Sequence, residues 1–147
     1  MPIKRHKALQ PLSRDHHKGL ILAQTLKKGA PHYKGMPTTI EGKKEYTVLF
    51  YSSDLIKHFN DEEQILFPLV KGRSSTVDNQ INEIIDEHRK MENLISEIQN
   101  IDDLEKILNE FGTLLEKHIR KEERELFNEI EKLLSENELS EIETKLK

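Results

Sequence analysis

The sequence contains no cysteine and no tryptophan. Without cysteine the chain cannot form a disulfide framework, a thiolate zinc site, an iron-sulfur cluster or a cysteine nucleophile, and a reducing cytoplasm is the expected location. Apolar runs such as Leu20 to Ala23 are far shorter than the roughly 20 residues of a membrane span, and the N-terminus has no apolar signal core. We therefore expect a soluble, cytoplasmic protein with no membrane partner.

A charge excess of one sign is also missing. The chain has 23 Lys and Arg residues against 27 Asp and Glu residues, so the net charge is only -4. Nucleic acid is therefore not expected as a partner, because no cationic excess is present to neutralise phosphates. The 147 residues suffice for one domain of common size, and we expect a single domain over residues 1–147. Against this background the seven histidines stand out and direct the search for chemistry.

Apolar residues recur at helical spacing, whereas the alternating pattern of a half-buried strand is nearly absent. This predicts an all-α fold with four long helices over about residues 11–134. Because the connections between the second, third and fourth helices are short, these helices are predicted to be antiparallel neighbours in an up-down-up-down four-helix bundle. A short C-terminal helix over about residues 136–146 is predicted to cover one end of the bundle.

Three helix starts have the residue pairs of a capping box, in which a side-chain oxygen accepts from the backbone three residues later. The predicted pairs are Ser75 with Asp78, Asp102 with Glu105, and Ser135 with Glu138.

The most specific signal is an internal repeat. The segment HFNDEEQILF from His58 aligns without gaps on HIRKEERELF from His118. The identical pairs are His58/His118, Glu62/Glu122, Glu63/Glu123, Leu66/Leu126 and Phe67/Phe127. The first and third helices also resemble each other, with RDHHKG beside DEHRKM, which pairs His16 with His88. The two halves are therefore predicted to be pseudo-equivalent helical hairpins.

A His and a Glu four residues apart lie on one helix face, about one turn apart, and can reach a common point. One such pair is usually a surface ion pair, but here both pairs lie on the apolar face between leucines. Burying them without partners would cost several kcal/mol per group, and a bound cation removes that objection. The predicted metal ligands are His16, His58, Glu62, His88, His118 and Glu122. The alternative is a metal-free core in which His and Glu bind each other.

Two choices stay open at this point. His16 is favoured over His17 as a ligand because it matches His88 and lies on the apolar stripe, but His17 remains possible. Glu63 and Glu123 are repeated as well, and salt bridges with neighbouring helices would explain them. Imidazole and carboxylate ligands suit iron, but also zinc or manganese, so the ligand set alone leaves the metal undecided.

One histidine on each of the first and third helices, with His-x-x-x-Glu on the second and fourth, resembles the hemerythrin HHE cation-binding family over about residues 11–134. Ferritin-like di-iron bundles use Glu-x-x-His instead. The resemblance implies two iron ions bridged by Glu62 and Glu122, with His16, His58, His88 and His118 as nitrogen ligands. It also implies an open position for dioxygen, nitric oxide or peroxide.

The chain departs from the family's oxygen carriers at one position. The carriers have a second histidine four residues after the third-helix histidine, and here that residue is Glu92. Glu92 is therefore a possible additional ligand. The departure makes a stable oxygen carrier less expected than redox reactivity, sensing or iron handling.

The resulting hypothesis is a non-haem di-iron protein that binds or reacts with dioxygen, nitric oxide or peroxide, for sensing, scavenging or detoxification. The alternatives are an iron storage or delivery protein and a metal-free helical interaction bundle. A dedicated enzyme is less favoured, because the sequence shows no recognisable general acid or base. A protein partner is not identifiable from the sequence.

Overall fold

The computed structural model describes residues 4–99 and 102–146, and this part of the chain is helical without any strand. The helices are α1 (Gln10–Leu26), α2 (residues 40–70), α3 (Ser75–Ile98), α4 (residues 104–133) and α5 (Glu136–Leu146). The predicted all-α fold is confirmed. No helix in the described ranges is both long and apolar enough to span a membrane.

Helices α2 and α4 change between α-helical and π-helical geometry along their length. In α2 the order is Ile40–Phe50 (α), Tyr51–Leu55 (π), Ile56–Asn60 (α), Asp61–Leu66 (π) and Phe67–Val70 (α). In α4 it is Leu104–Lys121 (α), Glu122–Leu126 (π) and Phe127–Leu133 (α). Thus both glutamates of the repeated motif lie within π-helical turns, which are rare in proteins and frequent at functional sites.

The π-helical turns are equivalent in the two halves of the chain. The backbone N–H of Phe67 donates to the carbonyl of Glu62, and the N–H of Phe127 donates to the carbonyl of Glu122, five residues back in each case. Pro68 follows the first turn and has no N–H to continue the ladder. Helix α2 ends two residues later, at Val70.

Two of the predicted caps are wrong by one residue. Ser74, rather than Ser75, has extended backbone angles before α3, and its side chain accepts from the N–H of Val77. Asp103, rather than Asp102, accepts from the N–H of Lys106 at the start of α4. Neighbouring polar residues offer similar capping groups, so the sequence alone does not tell which of them leaves the helical geometry.

The cap of α5 is the predicted one. The N–H of Glu138 donates to Oγ of Ser135 over 3.2 Å, and the N–H of Ser135 donates to Oε1 of Glu138 over 3.0 Å. The helix that follows buries Leu139, Ile142 and Leu146 in one of the two apolar clusters of the core.

The core consists of two apolar clusters, and along each long helix the predicted metal ligands lie between them. In α1, Leu12 belongs to the first cluster and Leu22 to the second, with His16 between. In α2, Leu55 belongs to the second cluster and Leu66 to the first, with His58 and Glu62 between. The histidines and glutamates therefore form a polar layer in the middle of the core.

Helices α1 and α4 approach closely at two glycines. A Cβ at Gly112 would lie 2.9 Å from the carbonyl oxygen of Ala23, and a Cβ at Gly19 would lie 2.8 Å from Cδ1 of Ile119. A side chain at either position would push the helices apart or displace a neighbour. The close approach places His16 of α1 against the polar residues of α4.

Candidate metal centre

The six side chains predicted as ligands come together in the polar layer, and all are buried. They form two groups that each bring four ligand atoms within 4.8 Å of one another and can hold a metal ion. Position A consists of His16, His58, Glu62 and Glu122. Position B consists of His88, His118, Glu62 and Glu122. Because both positions share the two glutamates, these carboxylates are placed to bridge two ions.

The ligand atoms face one another across short distances. At position B, Nε2 of His118 lies 2.7 Å from Oε1 of Glu122, and Nε2 of His88 lies 3.1 Å from Oε1 of Glu62. At position A, the Nε2 atoms of His16 and His58 are 3.1 Å apart. These two nitrogens lie 3.6 Å from Oε1 of Glu122 and Oε1 of Glu62, respectively. All four histidines thus direct Nε2 towards the centre.

Each histidine has its other ring nitrogen, Nδ1, next to a carboxylate on a different helix. We call these four acids the supporting carboxylates. The pairs are His16 with Glu123 at 2.6 Å, His58 with Asp15 at 3.0 Å, His88 with Glu63 at 2.7 Å and His118 with Glu87 at 2.8 Å. A carboxylate only accepts, so Nδ1 carries the proton and donates, and Nε2 presents a lone pair to the centre.

The supporting carboxylates follow the internal repeat. Glu63 and Glu123 each lie five residues after one of the four histidines, and salt bridges with neighbouring helices were one explanation for their repetition. They do contact neighbouring helices, where each supports a histidine.

Asp15 precedes His16 in the sequence and supports His58. Glu87 likewise precedes His88 and supports His118. Neither role was predicted from the sequence. The available signal was the acid that precedes the histidine in RDHHKG and in DEHRKM.

Several buried polar atoms at the centre are arranged to bind a cation rather than to form hydrogen bonds with one another. Within the described residues, hydrogen-bond partners are lacking for Oε2 of Glu62, both carboxylate oxygens of Glu122 and Nε2 of His118. The 2.7 Å approach of His118 to Glu122 therefore lacks hydrogen-bond geometry. The Nε2 atoms of His16 and His58 also face each other, 3.1 Å apart. Buried polar atoms without partners are costly, and a cation satisfies all of them together.

The protonation of the centre supports the same fit. Burial lowers the pKa of His16, but the nearby carboxylates of Glu122 and Glu123 outweigh burial and raise that pKa to about 9. Burial, reinforced by the charge of Glu122, raises the pKa of Glu62 well above its usual value. Without a metal ion, the raised pKa values of His16 and Glu62 thus favour bound protons at the centre. Metal ions would replace these protons.

Two phenylalanines pack flat against two of these histidines. The ring of Phe59 stacks on His88 with centroids 3.9 Å apart, and the ring of Phe127 stacks on His16 at 5.4 Å. Together with the supporting carboxylates, these rings restrict rotation of the imidazoles. The centre is therefore organised by side chains that are not themselves ligands.

A small cavity adjoins position A. Its polar lining consists of Asp15, His16, His58 and His118. The rest of the lining consists of Gly19, Leu55, Phe59, Leu115 and Ile119. The centre of a water-sized molecule can occupy a volume of about 10 Å³ inside this cavity. That is room for about one water molecule.

The remaining candidate residues lie outside both positions. His17 is exposed on α1. Glu92 is half-buried on α3, where its Oε1 accepts from Nη1 of Arg89 over 2.6 Å. Of the two, the structure places neither among the ligand atoms that converge at positions A and B.

Comparison with known proteins agrees with the site. Neither the curated proteins nor the solved structures that were searched include a match to the chain. The hemerythrin HHE cation-binding domain family matches residues 7–130, which contain all six converging side chains and all four supporting carboxylates. The chain belongs to the hemerythrin HHE cation-binding domain family.

Proposed function

We propose that this chain holds two iron ions, one at position A and one at position B. Glu62 and Glu122 would contribute to holding both ions, and the four histidines would supply their Nε2 atoms. The observation that supports this most strongly is the set of buried ligand atoms without hydrogen-bond partners at the point where the six side chains converge. We further propose that the four long helices run up-down-up-down, so that each half contributes one histidine and one His-x-x-x-Glu.

The proposed activity is binding of dioxygen, nitric oxide or peroxide, for sensing, scavenging or detoxification. Bound iron supplies an open coordination position and one-electron redox chemistry. Leu55, Phe59, Leu115 and Ile119 contribute apolar surface to the adjoining cavity. Because the cavity has room for only about one water-sized molecule, it favours a diatomic ligand over an organic substrate.

The burial of the ligands bears on the alternative of iron storage. All six side chains are buried, and each histidine is held by a carboxylate behind it. A storage or delivery protein must release its iron readily, whereas preorganised buried ligands favour slow release. We therefore favour a resident di-iron centre.

The first experiment measures metal per chain after purification without added metal, with absorption spectra before and after dithionite. We expect two irons per chain and near-ultraviolet bands that bleach on reduction. His118→Ala should lose metal, whereas the matched variant His17→Ala should keep it. Zinc, or no metal even after anaerobic reconstitution with ferrous iron, would overturn the proposal.

A second experiment tests the cavity. Gly19→Ala places a Cβ 2.8 Å from the flexible end of Ile119, so that both residues crowd the cavity. We expect nitric oxide to bind more weakly to the reduced variant while the iron content is unchanged. Lys18→Ala, an exposed neighbour on the same helix, is the control. Unchanged binding to Gly19→Ala would show that the ligand does not use this cavity.

A further inference from the structure

The two metal positions share their glutamates but differ in the charges behind their histidines. Each position has two supporting carboxylates: Glu123 and Asp15 at position A, and Glu63 and Glu87 at position B. A carboxylate that accepts from Nδ1 of an imidazole increases the negative charge near a cation bound at Nε2. A lysine or arginine paired with that carboxylate reduces this charge. The cationic partners of these four acids therefore decide how the positions compare.

At position B both supporting carboxylates are paired with a cation. The guanidinium of Arg89 donates to both oxygens of Glu63. Nζ of Lys121 donates to Oε2 of Glu87 over 2.8 Å, while the other oxygen of Glu87 accepts from His118. Both cations also contact a second acid, Glu92 for Arg89 and Glu83 for Lys121. Each supporting carboxylate of position B nevertheless has a cation in direct contact.

At position A the supporting carboxylates have weaker contacts with cations, and Glu123 is the first of the two. This carboxylate accepts from Oγ of Ser13 over 2.8 Å, which is a neutral donor. The nearest guanidinium, that of Arg5, lies 3.5 Å from Oε1 of Glu123. Its shorter contacts go to Glu131 and to the backbone carbonyl of Glu123. The cation behind Glu123 is therefore present but shared.

Asp15, the other supporting carboxylate of position A, has no cation of its own. In the described ranges, His58 is the only basic side chain within ion-pair distance of Asp15. Lys57 is close enough for the charge of Asp15 to help raise its pKa, but its amino group donates to Asp61 over 2.6 Å. Each supporting carboxylate of position B thus has a lysine or arginine in direct contact, whereas at position A Asp15 has none among the described residues.

We propose that the two positions are inequivalent and that position A binds its metal ion first and more tightly. The cause is the uncompensated charge of Asp15, which reaches the ion through His58. The shared ligands Glu62 and Glu122 contribute to both positions and cancel in the comparison. The inference rests on the proposed function, since it concerns the same two ions.

Two binding steps in the unmodified protein would not by themselves establish this. The first ion neutralises the shared glutamates, so even identical positions would bind the second ion more weakly. Variants that change the charge at one position separate the two explanations, because each explanation assigns the effect to a different step. Asp15→Asn removes the uncompensated charge at position A but keeps an oxygen that accepts from His58. Lys121→Met removes a cation at position B.

The experiment is a titration of the metal-free full-length chain with Co²⁺, followed by visible absorption and by heat. Asp15→Asn should weaken the first step by roughly 10- to 100-fold and change the second by no more than about twofold. Lys121→Met should strengthen the second step by about tenfold and leave the first nearly unchanged. Lys132→Met, an exposed lysine on the same helix that pairs with Glu129, should change neither step.

The outcomes distinguish the inference from the function on which it rests. If Asp15→Asn weakens mainly the second step, the positions are equivalent or position B fills first, and the inference is wrong. If Lys121→Met weakens binding or leaves it unchanged, the role of charge is also wrong. Asp15→Glu should restore the first step if charge, rather than local structure, is responsible. Binding of fewer than two ions by the unmodified chain would instead overturn the proposed di-iron centre.

Discussion

Glu123 on α4 accepts a hydrogen bond from Nδ1 of His16 on α1 over 2.6 Å. The equivalent contact in the other half joins Glu63 on α2 to Nδ1 of His88 on α3 over 2.7 Å. Both acids lie one residue beyond a proposed bridging glutamate, and both act on a histidine of another helix. The repeated pair Glu-Glu thus combines a proposed ligand with a residue that holds a second proposed ligand in place.

This relationship predicts the effect of neutralising either acid. Glu123→Gln and Glu63→Gln should each lower the overall affinity for two metal ions by roughly 10- to 100-fold, because the imidazole loses a charged partner that fixes its tautomer and orientation. Competition with a chelator measures this affinity. Glu125→Gln, an exposed acid on α4, is the matched control and should bind metal normally. Equal affinities in all three variants would show that the carboxylates have no supporting role.

Much of this site was predictable because it repeats along the chain. The spacing of His58 and Glu62, and again of His118 and Glu122, places each pair on one buried face, and the structure brings all four together. Choosing His16 over His17 needed only the apolar stripe and the match with His88. Periodicity within each helix, together with the internal repeat, therefore sufficed to predict which six side chains converge.

The supporting carboxylates were harder to predict because they act between helices. Asp15 lies next to His16 in the sequence and therefore points about 100° away from it around the helix. Its partner His58 is on α2, and the relative register of α1 and α2 is not encoded in the period of either helix. The π-helical turns at Glu62 and Glu122 were missed for a related reason, since their residues have no distinctive sequence pattern.

A second prediction concerns Glu92, the position at which the sequence departs from the oxygen carriers. Because its carboxylate pairs with Arg89 away from positions A and B, Glu92→Gln should leave metal content and the visible spectrum unchanged. Metal analysis and absorption of the purified variant measure this. Glu62→Gln, which removes a charge shared by both positions, should lose metal under the same conditions. A spectral change in Glu92→Gln would indicate that Glu92 moves to the metal.

A third prediction is that metal ions stabilise the fold. Ions that bind only the folded chain add stability by mass action, about 4 kcal/mol per site when the free ion exceeds its dissociation constant a thousandfold. Adding a chelator at neutral pH should therefore lower the Tm measured by calorimetry. The double variant His58→Ala/His118→Ala should unfold at one temperature with or without chelator. If the unmodified chain behaves in that way too, the centre does not contribute to stability.

The last prediction concerns Glu138, which joins the turn after α2 to the start of α5 and lies away from the metal centre. Its carboxylate accepts from the guanidinium of Arg73, through Nη1 over 2.9 Å and through Nη2, and also from the N–H of Ser135. The bonds from Arg73, followed by the backbone bond from Ser135, lower the pKa of Glu138 from 4.5 to about 2. A pKa that is lower in the folded chain stabilises the fold above the unfolded value, and this stability is lost as the pH falls towards the folded value.

Glu138→Gln should therefore be less stable than the unmodified chain at neutral pH, and the difference should begin to shrink below about pH 4.5. Urea unfolding between about pH 6 and pH 3 measures it, with chelator present throughout so that loss of metal in acid does not contribute. The control is Glu141→Gln on the same helix, whose exposed partner is Lys145 and whose effect on stability should be small. A difference for Glu138→Gln that stays constant down to pH 3 would mean that the carboxylate stabilises the helix start through its shape rather than its charge.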